Sequence, residues 1–361
     1  MAKWNNIDIL KLSLTKGLNS KKQQFIMNLH DDYEEFRASY KEQIELPFIE
    51  NWEKEQKDVD LRADTQLEIY EKNNIKMVTL FDDNYPALLK QISQPPILLF
   101  VKGELQNGDS TAIAIVGTRK CTTYGRLAAE NYATHFARNN IIVVSGLAFG
   151  IDSYSHMAAV KAGGITYAVI AGGIDTYSQP EQLKKAEKII DTGGALISHF
   201  HCGVFSLPPL FLQRNRIISG ISTATVVIES AERGGSLNTA RFAGDESRDV
   251  FAVPGAITSE RSRGTNELIK KGGAIITLKP DDVLEHLGLI QTSLSLSEKQ
   301  PNLKSKEEKL IWDAVSMEPI HIDDLADKTE LEISKLLVVL LEMEFSGLLR
   351  QLPGKNYIRE H

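Results

Sequence analysis

The chain has 361 residues, enough for two or three domains, and its 42% apolar and 25% charged residues are ordinary for a water-soluble fold. Its 48 acidic residues against 41 lysines and arginines leave a net charge of −7, so a site for a polyanion has to be a local basic patch. Two cysteines, Cys121 and Cys202, exclude a disulfide framework, and no apolar run reaches the roughly 20 residues of a membrane span. The opening MAKWNNIDIL lacks the apolar stretch and cleavage site of a secretion signal, so the expectation is a cytoplasmic protein without a membrane segment.

Residues 1–72 read as a helical module, with apolar residues at helical spacing in IDILKLSLTKGL and KQQFIMNLHDDYEEF. The glycine turn in TKGLNSKKQQFIMNL has the form of a helix-hairpin-helix, and a plain helical bundle fits it as well. From 73 to 288 the grammar changes to short apolar runs ending in glycine that alternate with amphipathic stretches, the βαβ rhythm of a doubly wound, mostly parallel sheet.

The strands expected from this rhythm are Thr111–Gly117, Ile141–Gly146, Ile165–Gly173, Ala195–Phe200, Thr223–Ser230 and Asp249–Gly255. They scarcely alternate in polarity, so both sheet faces must be covered. Between the first two, YGRLAAENYATHFARNN predicts a helix with Ala128, Tyr132, Ala133 and Phe136 on its inner face and a stop at Asn139-Asn140. Ahead of them, IKMVTLFDDNYPALLKQISQPPILLFVKG predicts two further strands of the same sheet with a turn through Tyr85-Pro86. Residues 289–304 are rich in Ser, Lys and Gln and read as a linker, and 305–361 give the helix, strand, helix, helix, hairpin order of a winged helix.

Ligands of open α/β sheets sit at the carboxyl ends of the strands. There GTRKCTTYG offers Gly117, Thr118 and Arg119 at a helix start. SGLAFGID offers Ser145, Gly146 and Gly150, with Asp152 read as a helix-dipole residue. AGGIDTYSQPEQLKK brings Lys184 and Lys185. Neither the dinucleotide fingerprint nor a Walker A loop is present. FLQRNRIIS places Phe211, Arg214, Asn215 and Arg216 near the same edge. Arginines framed by apolar residues need anionic partners, either internal carboxylates or bound phosphates, and Phe211 is a candidate base-stacking platform.

The loop with Gly234, Gly235 and Ser236 resembles the phosphate-ribose loops of nucleoside-monophosphate hydrolases in the lysine-decarboxylase-like group, but Arg241 stands where their glutamate would be. A hydrolase of that type is therefore the alternative reading. SHFHC, with His199, His201 and Cys202, lacks the spacing of a closed metal site. In the winged helix, the helix in the recognition position carries Glu332, Glu342 and Glu344 against one lysine, which favours a protein contact over duplex reading.

The ordered set YPALLKQISQPPILLFVKG, IAIVGTRKCTTYG, SGLAFGIDSYSH, FLQRNRIISGIS, GSLNTARFAG, DVFAVPG, GTNELIKKGGA and LLRQLPGKNYIR resembles the DNA-processing protein A (DprA, or Smf) family over residues 73–361. The resemblance implies an extended Rossmann-like core that binds single-stranded DNA, forms a homodimer, protects incoming DNA and loads the RecA recombinase during natural transformation. It implies no catalysis, cofactor or metal. Carried onto this sequence, it puts Arg119, Arg214, Arg216 and the glycine loops at Ser145-Gly146 and Gly234-Gly235 along the DNA groove. It puts Asn266, Leu268 and Ile269 in the segment for self-association and recombinase contact. The family pattern departs at TYSQPEQ, where the phosphate contact expected near Gln179 either passes to Lys184 or is lost.

Overall fold

The computed structural model describes residues 4–43, 46–106, 110–177, 180–290, 303 and 305–359, the side chains of 46–50 excepted. The chain forms two compact units, 1–290 and 291–361. Gln179 and nearly all of the expected linker lie outside the described residues.

The first unit begins with helices α1 (Asn6–Leu14), α2 (Ser20–Leu29), α3 (Tyr33–Gln43) and α4 (Leu46–Lys72). Asn5 and Asn19 cap α1 and α2 by accepting backbone N–H groups at 2.9 Å, and Gly17 makes the turn between them with φ of 76°. There follow β1 (Lys76–Thr79), α5 (Ala87–Lys90), β2 (Leu98–Gly103), β3 (Ala112–Val116), α6 (Thr123–Arg138), β4 (Ile142–Ser145), α7 (Ile151–Lys161), β5 (Thr166–Val169), α8 (Pro180–Asp191) and β6 (Ala195–Ser198). The unit closes with α9 (Pro208–Ile221), β7 (Ala224–Val227), α10 (Ser236–Asp245), β8 (Asp249–Ala252), α11 (Arg263–Lys270), β9 (Ile275–Ile276) and α12 (Pro280–His286).

The nine strands make one sheet in the order β1-β2-β6-β5-β4-β3-β7-β8-β9. All neighbours from β6 to β9 are parallel, and β2 and β1 add an antiparallel edge. Successive strand residues serve opposite faces. Ile113, Ile115, Val143 and Phe251 pack with α6 and α12, whereas Ala114, Val116, Val144 and Val250 pack with Ile217 and Ile218 of α9. At the β2-β6-β5 end, Phe100, Leu196 and Ala168 join Ile9, Leu10 and Leu12 in one cluster, so the N-terminal helices cover a sheet face there. That dual burial explains why the strands read as unbroken apolar runs.

The expected strands all form, each shorter than expected by two to five residues in all, most of them lost at the carboxyl end. On α6 the buried stripe is Ala129, Tyr132, Ala133, Phe136 and Ala137, with Ala128 only half-buried, a shift of one position from the expected face. The second unit comprises α13 (Lys306–Ala314), β10 (Ile320–His321), α14 (Ile322–Thr329), α15 (Ile333–Phe345), β11 (Leu349–Leu352) and β12 (Asn356–Arg359), the winged-helix order. Leu336, Val339, Leu340 and Met343 bury one side of α15, and Leu337, Leu341 and Phe345 stay exposed on the other. Among the described residues no helix is long and apolar enough to cross a membrane.

Candidate nucleic-acid interface

The strand order reverses at β3, which has β4 on one side and β7 on the other, so the crevice at their carboxyl ends is where such a sheet seats a ligand. On the β7 side the protein fills that crevice itself. Glu229, 1% exposed, accepts hydrogen bonds from the Thr122 backbone N–H at 2.8 Å and the Thr122 hydroxyl at 2.6 Å, and its carbonyl accepts from Thr118 N–H at 2.8 Å. A carboxylate thus occupies the start of α6, the position a dinucleotide's pyrophosphate would take. Gly117 and Gly125 are required there, because a Cβ at Gly117 would strike Ile151 and one at Gly125 would strike the Glu229 carboxylate. Gly117 and Thr118 therefore serve the loop's internal packing, and Arg119 is what the loop projects into solvent.

On the β4 side the loop after Ser145 is held from below by buried polar groups. The Ser145 hydroxyl donates to Ile115 O at 2.6 Å, and Gly146 N–H donates to the Asp152 carboxylate at 3.2 Å. Leu147 adopts φ of 54°, a strained conformation for a leucine, and its N–H donates to His156 Nε2 at 3.3 Å. That bond fixes the His156 tautomer. Nδ1 then donates to the Thr166 hydroxyl at 2.7 Å, and Thr166 passes its own proton to Val143 O at 2.6 Å. Gly150, with φ of 77°, packs against the backbone of Thr118 and Arg119 and locks the first two glycine loops together.

Arg214 lies beneath this loop and is only 3% exposed. Its guanidinium donates to Gly146 O at 2.5 Å and Val169 O at 2.6 Å, and its Nε donates to Asn215 Oδ1 at 3.1 Å. The space it fills exists because residue 146 has no side chain, since a Cβ there would overlap the guanidinium. Burial lowers the Arg214 pKa to about 10, which leaves it charged at neutral pH, and burial raises the Asp152 carboxyl while Arg214 pulls it back. The sequence left internal carboxylates or bound phosphates as partners for Arg214; the hydrogen bonds go instead to backbone carbonyls and an amide, with the Asp152 carboxyl acting only through its charge.

Phe211, one turn earlier on α9, is half-buried and carries the Arg119 guanidinium 4.7 Å from its ring centroid, with Arg214 at 5.6 Å. Phe211 and Arg119 border a cleft of about 120 Å³ over the ends of β4 and β5, whose other walls include Phe149, Ala171, Tyr177 and Ser206. Lys184 is exposed on α8, while its neighbour Lys185 turns inward, donates to the Ser153 hydroxyl at 3.1 Å and lies 5.9 Å from the Phe149 ring. Asn215 donates to Gly235 O at 3.3 Å and so ties α9 to the loop leading into α10. In that loop Gly235 is exposed and no side chain caps α10. Ser236 points inward to the Ser230 hydroxyl at 3.0 Å, and Gly234 packs on Ser230. Arg241 is exposed beside Phe242, at the position where a hydrolase would carry its acid.

Two groups lie elsewhere. Arg216 points away from the cleft and donates to the Gln94 carbonyl and side-chain oxygens. Asn266 of α11 pairs reciprocally with Gly255, accepting at 3.1 Å and donating at 3.0 Å. Leu268 and Ile269 are half-buried on the same helix, which precedes the exposed edge residues Ile275 and Ile276 of β9. His201, instead of approaching a metal, shares its ring nitrogens with the Ser13 and Tyr70 hydroxyls at 3.2 and 3.1 Å. Among the described residues no group of three His, Cys, Asp or Glu side chains is placed to hold a metal.

The buried histidines set the acid response. Burial holds His156 down to about 3 and His201 to about 4, against an unfolded value near 6.5. Below pH 6.5 the unfolded chain gains protons that the folded chain refuses, so stability falls as pH drops through the window from 6.5 to about 4, by about 1.4 kcal/mol per pH unit for each such group. Thermal melts across this window should show the loss, and His201→Gln should shallow the slope. An unchanged slope in that variant would mean that His201 contributes nothing to the response.

A model of the DNA recombination-mediator protein A family matches residues 76–288, and a DprA winged-helix model matches residues 297–355. The chain belongs to the DNA recombination-mediator protein A family. It is 34% identical to Protein Smf of Escherichia coli over 296 residues, covering 80% of this chain and 78% of that protein. The crystal structure of DprA from Streptococcus pneumoniae superposes with a TM-score of 0.67 at 30% identity, covering 78% of this chain and 97% of that one. DprA from Helicobacter pylori, described for its single-stranded DNA binding mode, superposes with a TM-score of 0.53 at 25% identity, covering 59% and 95%. Within this DprA fold, sequence reasoning missed Phe149 at the cleft and Glu229 at the start of α6. The signal for Glu229 was present: an acidic residue at the end of an apolar strand faces the start of the neighbouring helix.

Proposed function

We propose that this chain is a single-stranded DNA-binding recombination mediator without catalytic activity, and that the cleft beside Phe211 seats the strand. The observation that carries the reading is Arg119: an exposed guanidinium over the Phe211 ring, 4.7 Å from its centroid, above loops whose buried polar groups are already satisfied. Exposed Lys120 beside it adds to a local cationic group on an acidic molecule, and the uncapped start of α10 beside Asn215 offers free amides as a second phosphate position. Contacts of this kind read the backbone and give little sequence preference. The apolar edge of β9, with Ile275, Ile276 and the 74% exposed Leu278, supports homodimerisation by edge pairing. α11 and the winged helix are the surfaces we assign to protein partners, RecA among them, in protecting incoming DNA and loading recombinase during natural transformation. A cytoplasmic location follows from that role.

Fluorescence anisotropy with labelled single-stranded and duplex oligonucleotides of one sequence, in a salt series, tests the reading. We expect preference for the single strand, with affinity falling linearly in log salt. Equal or stronger duplex binding would overturn it, and release of free base from nucleotides would move the hydrolase alternative forward.

A further inference from the structure

A second cleft, of about 520 Å³, lies on the other side of the wall formed by the start of α9 and the segment before it. Ser206 and Phe211 border the first cleft, and Val204, Leu212 and Gln213 border this one. One side is the α1–α2 turn at Leu18, Asn19 and Ser20, and the other is the core at His199 and Arg216. The walls are fixed to each other. Gln24 of α2 donates to Pro95 O at 2.7 Å, Ser13 of α1 bonds His201, and Arg216 bonds Gln94.

Three features at or beside the cleft bear on anion binding. Half-buried Arg216 donates to the amide oxygens of Gln94, and the Glu246 carboxylate attracts it from beyond ion-pair distance, so it is partly desolvated with its charge only partly balanced. His199 Nδ1 is buried with no hydrogen-bond partner. The α1–α2 turn carries Lys16, Lys21 and Lys22, all exposed and outside ion pairs among the described residues, and the first turn of α2 has no acidic residue. Cations at a helix N-terminus are unfavourable next to its dipole, and a bound anion reverses that penalty. The volume, the mixed and largely apolar lining and the partly exposed Phe242 match a nucleotide better than a simple ion.

We propose that this cleft is a second nucleotide subsite, which takes a phosphate-bearing unit of the same strand once it has passed Phe211. The N-terminal helices would then form part of the DNA path. The proposal rests on the single-strand reading above.

The test compares a short oligothymidylate of roughly 4 nucleotides with a long one of roughly 16, the limits of single-module site sizes. The full-length variants are Lys21→Glu/Lys22→Glu, Ser20→Trp to obstruct the cleft without changing charge, and Lys54→Glu/Lys57→Glu on the exposed face of α4 as a charge-matched control. The first two should each weaken the long oligomer about tenfold and leave the short one at wild-type affinity, with the control unchanged. Unchanged affinity for the long oligomer, equal loss for both lengths, or the same loss in the control would overturn the subsite. Binding of dTMP that these variants abolish, with long-oligomer affinity intact, would assign the cleft to free nucleotides and overturn the strand path. A wild type that binds neither length would instead bring down the single-strand reading itself.

Discussion

Replacing Arg214 by alanine is expected to lower folding stability by about 3–5 kcal/mol, the cost of removing one partner from a buried charged pair. Three losses coincide. The carbonyls of Gly146 and Val169 lose their donor, the buried Asp152 carboxyl loses the cation that moderates its desolvation, and the space left by the absent Gly146 side chain becomes a void. Set against the 5–15 kcal/mol of a typical domain, this is a large fraction. Arg214→Lys should recover only part of it, because Nη1 alone serves both carbonyls while Nε holds Asn215, and an ammonium has no second nitrogen for that bond. Denaturant midpoints at constant slope measure the effect. The contrary outcome is a wild-type midpoint with single-strand binding gone, which would mean that the guanidinium faces the ligand. Because Arg214 and Arg216 answer to different surroundings, a double alanine variant would merge a stability defect with a local one.

How far the sequence revealed this arrangement can be judged at the same residues. The parallel sheet was legible because strands covered on both faces read as unbroken apolar runs ending in glycine, and the carboxyl-end loops were located by those glycines. What one sequence could not supply was side-chain direction. FLQRNRIIS brings two arginines to the cleft edge, but residues two apart on a helix diverge by about 200°. One goes under the Gly146 loop and the other to Gln94. The same limit separates Lys184 from Lys185. The start of α6 was legible as an anion site in kind, while its anion, Glu229, follows a strand more than a hundred residues later and is marked in the sequence only as an acidic residue at the end of an apolar run. β9, two residues long at the sheet edge, gave no periodic signal at all.

Arg119→Ala should weaken binding of unrelated single-stranded oligonucleotides by about 10- to 100-fold and to a similar degree for each sequence, with folding stability near wild type. The side chain is exposed, and no described carboxylate or carbonyl depends on it, so the fold has little to lose. The ligand loses a phosphate contact together with the flat cation that extends the Phe211 face. In terms of stacking alone that amounts to about 1–3 kcal/mol per base. The salt dependence should flatten by about 0.7 in the log–log slope for the single phosphate contact removed. Arg119→Lys separates the two contributions. It keeps the charge and hence the slope, but an ammonium does not lie flat on an aromatic ring, so affinity should fall between wild type and alanine. Phe211→Leu should complement it, lowering affinity with the slope preserved. If Arg119→Ala instead discriminates among sequences, the guanidinium reads base edges, and the strand must run with its bases toward the cleft.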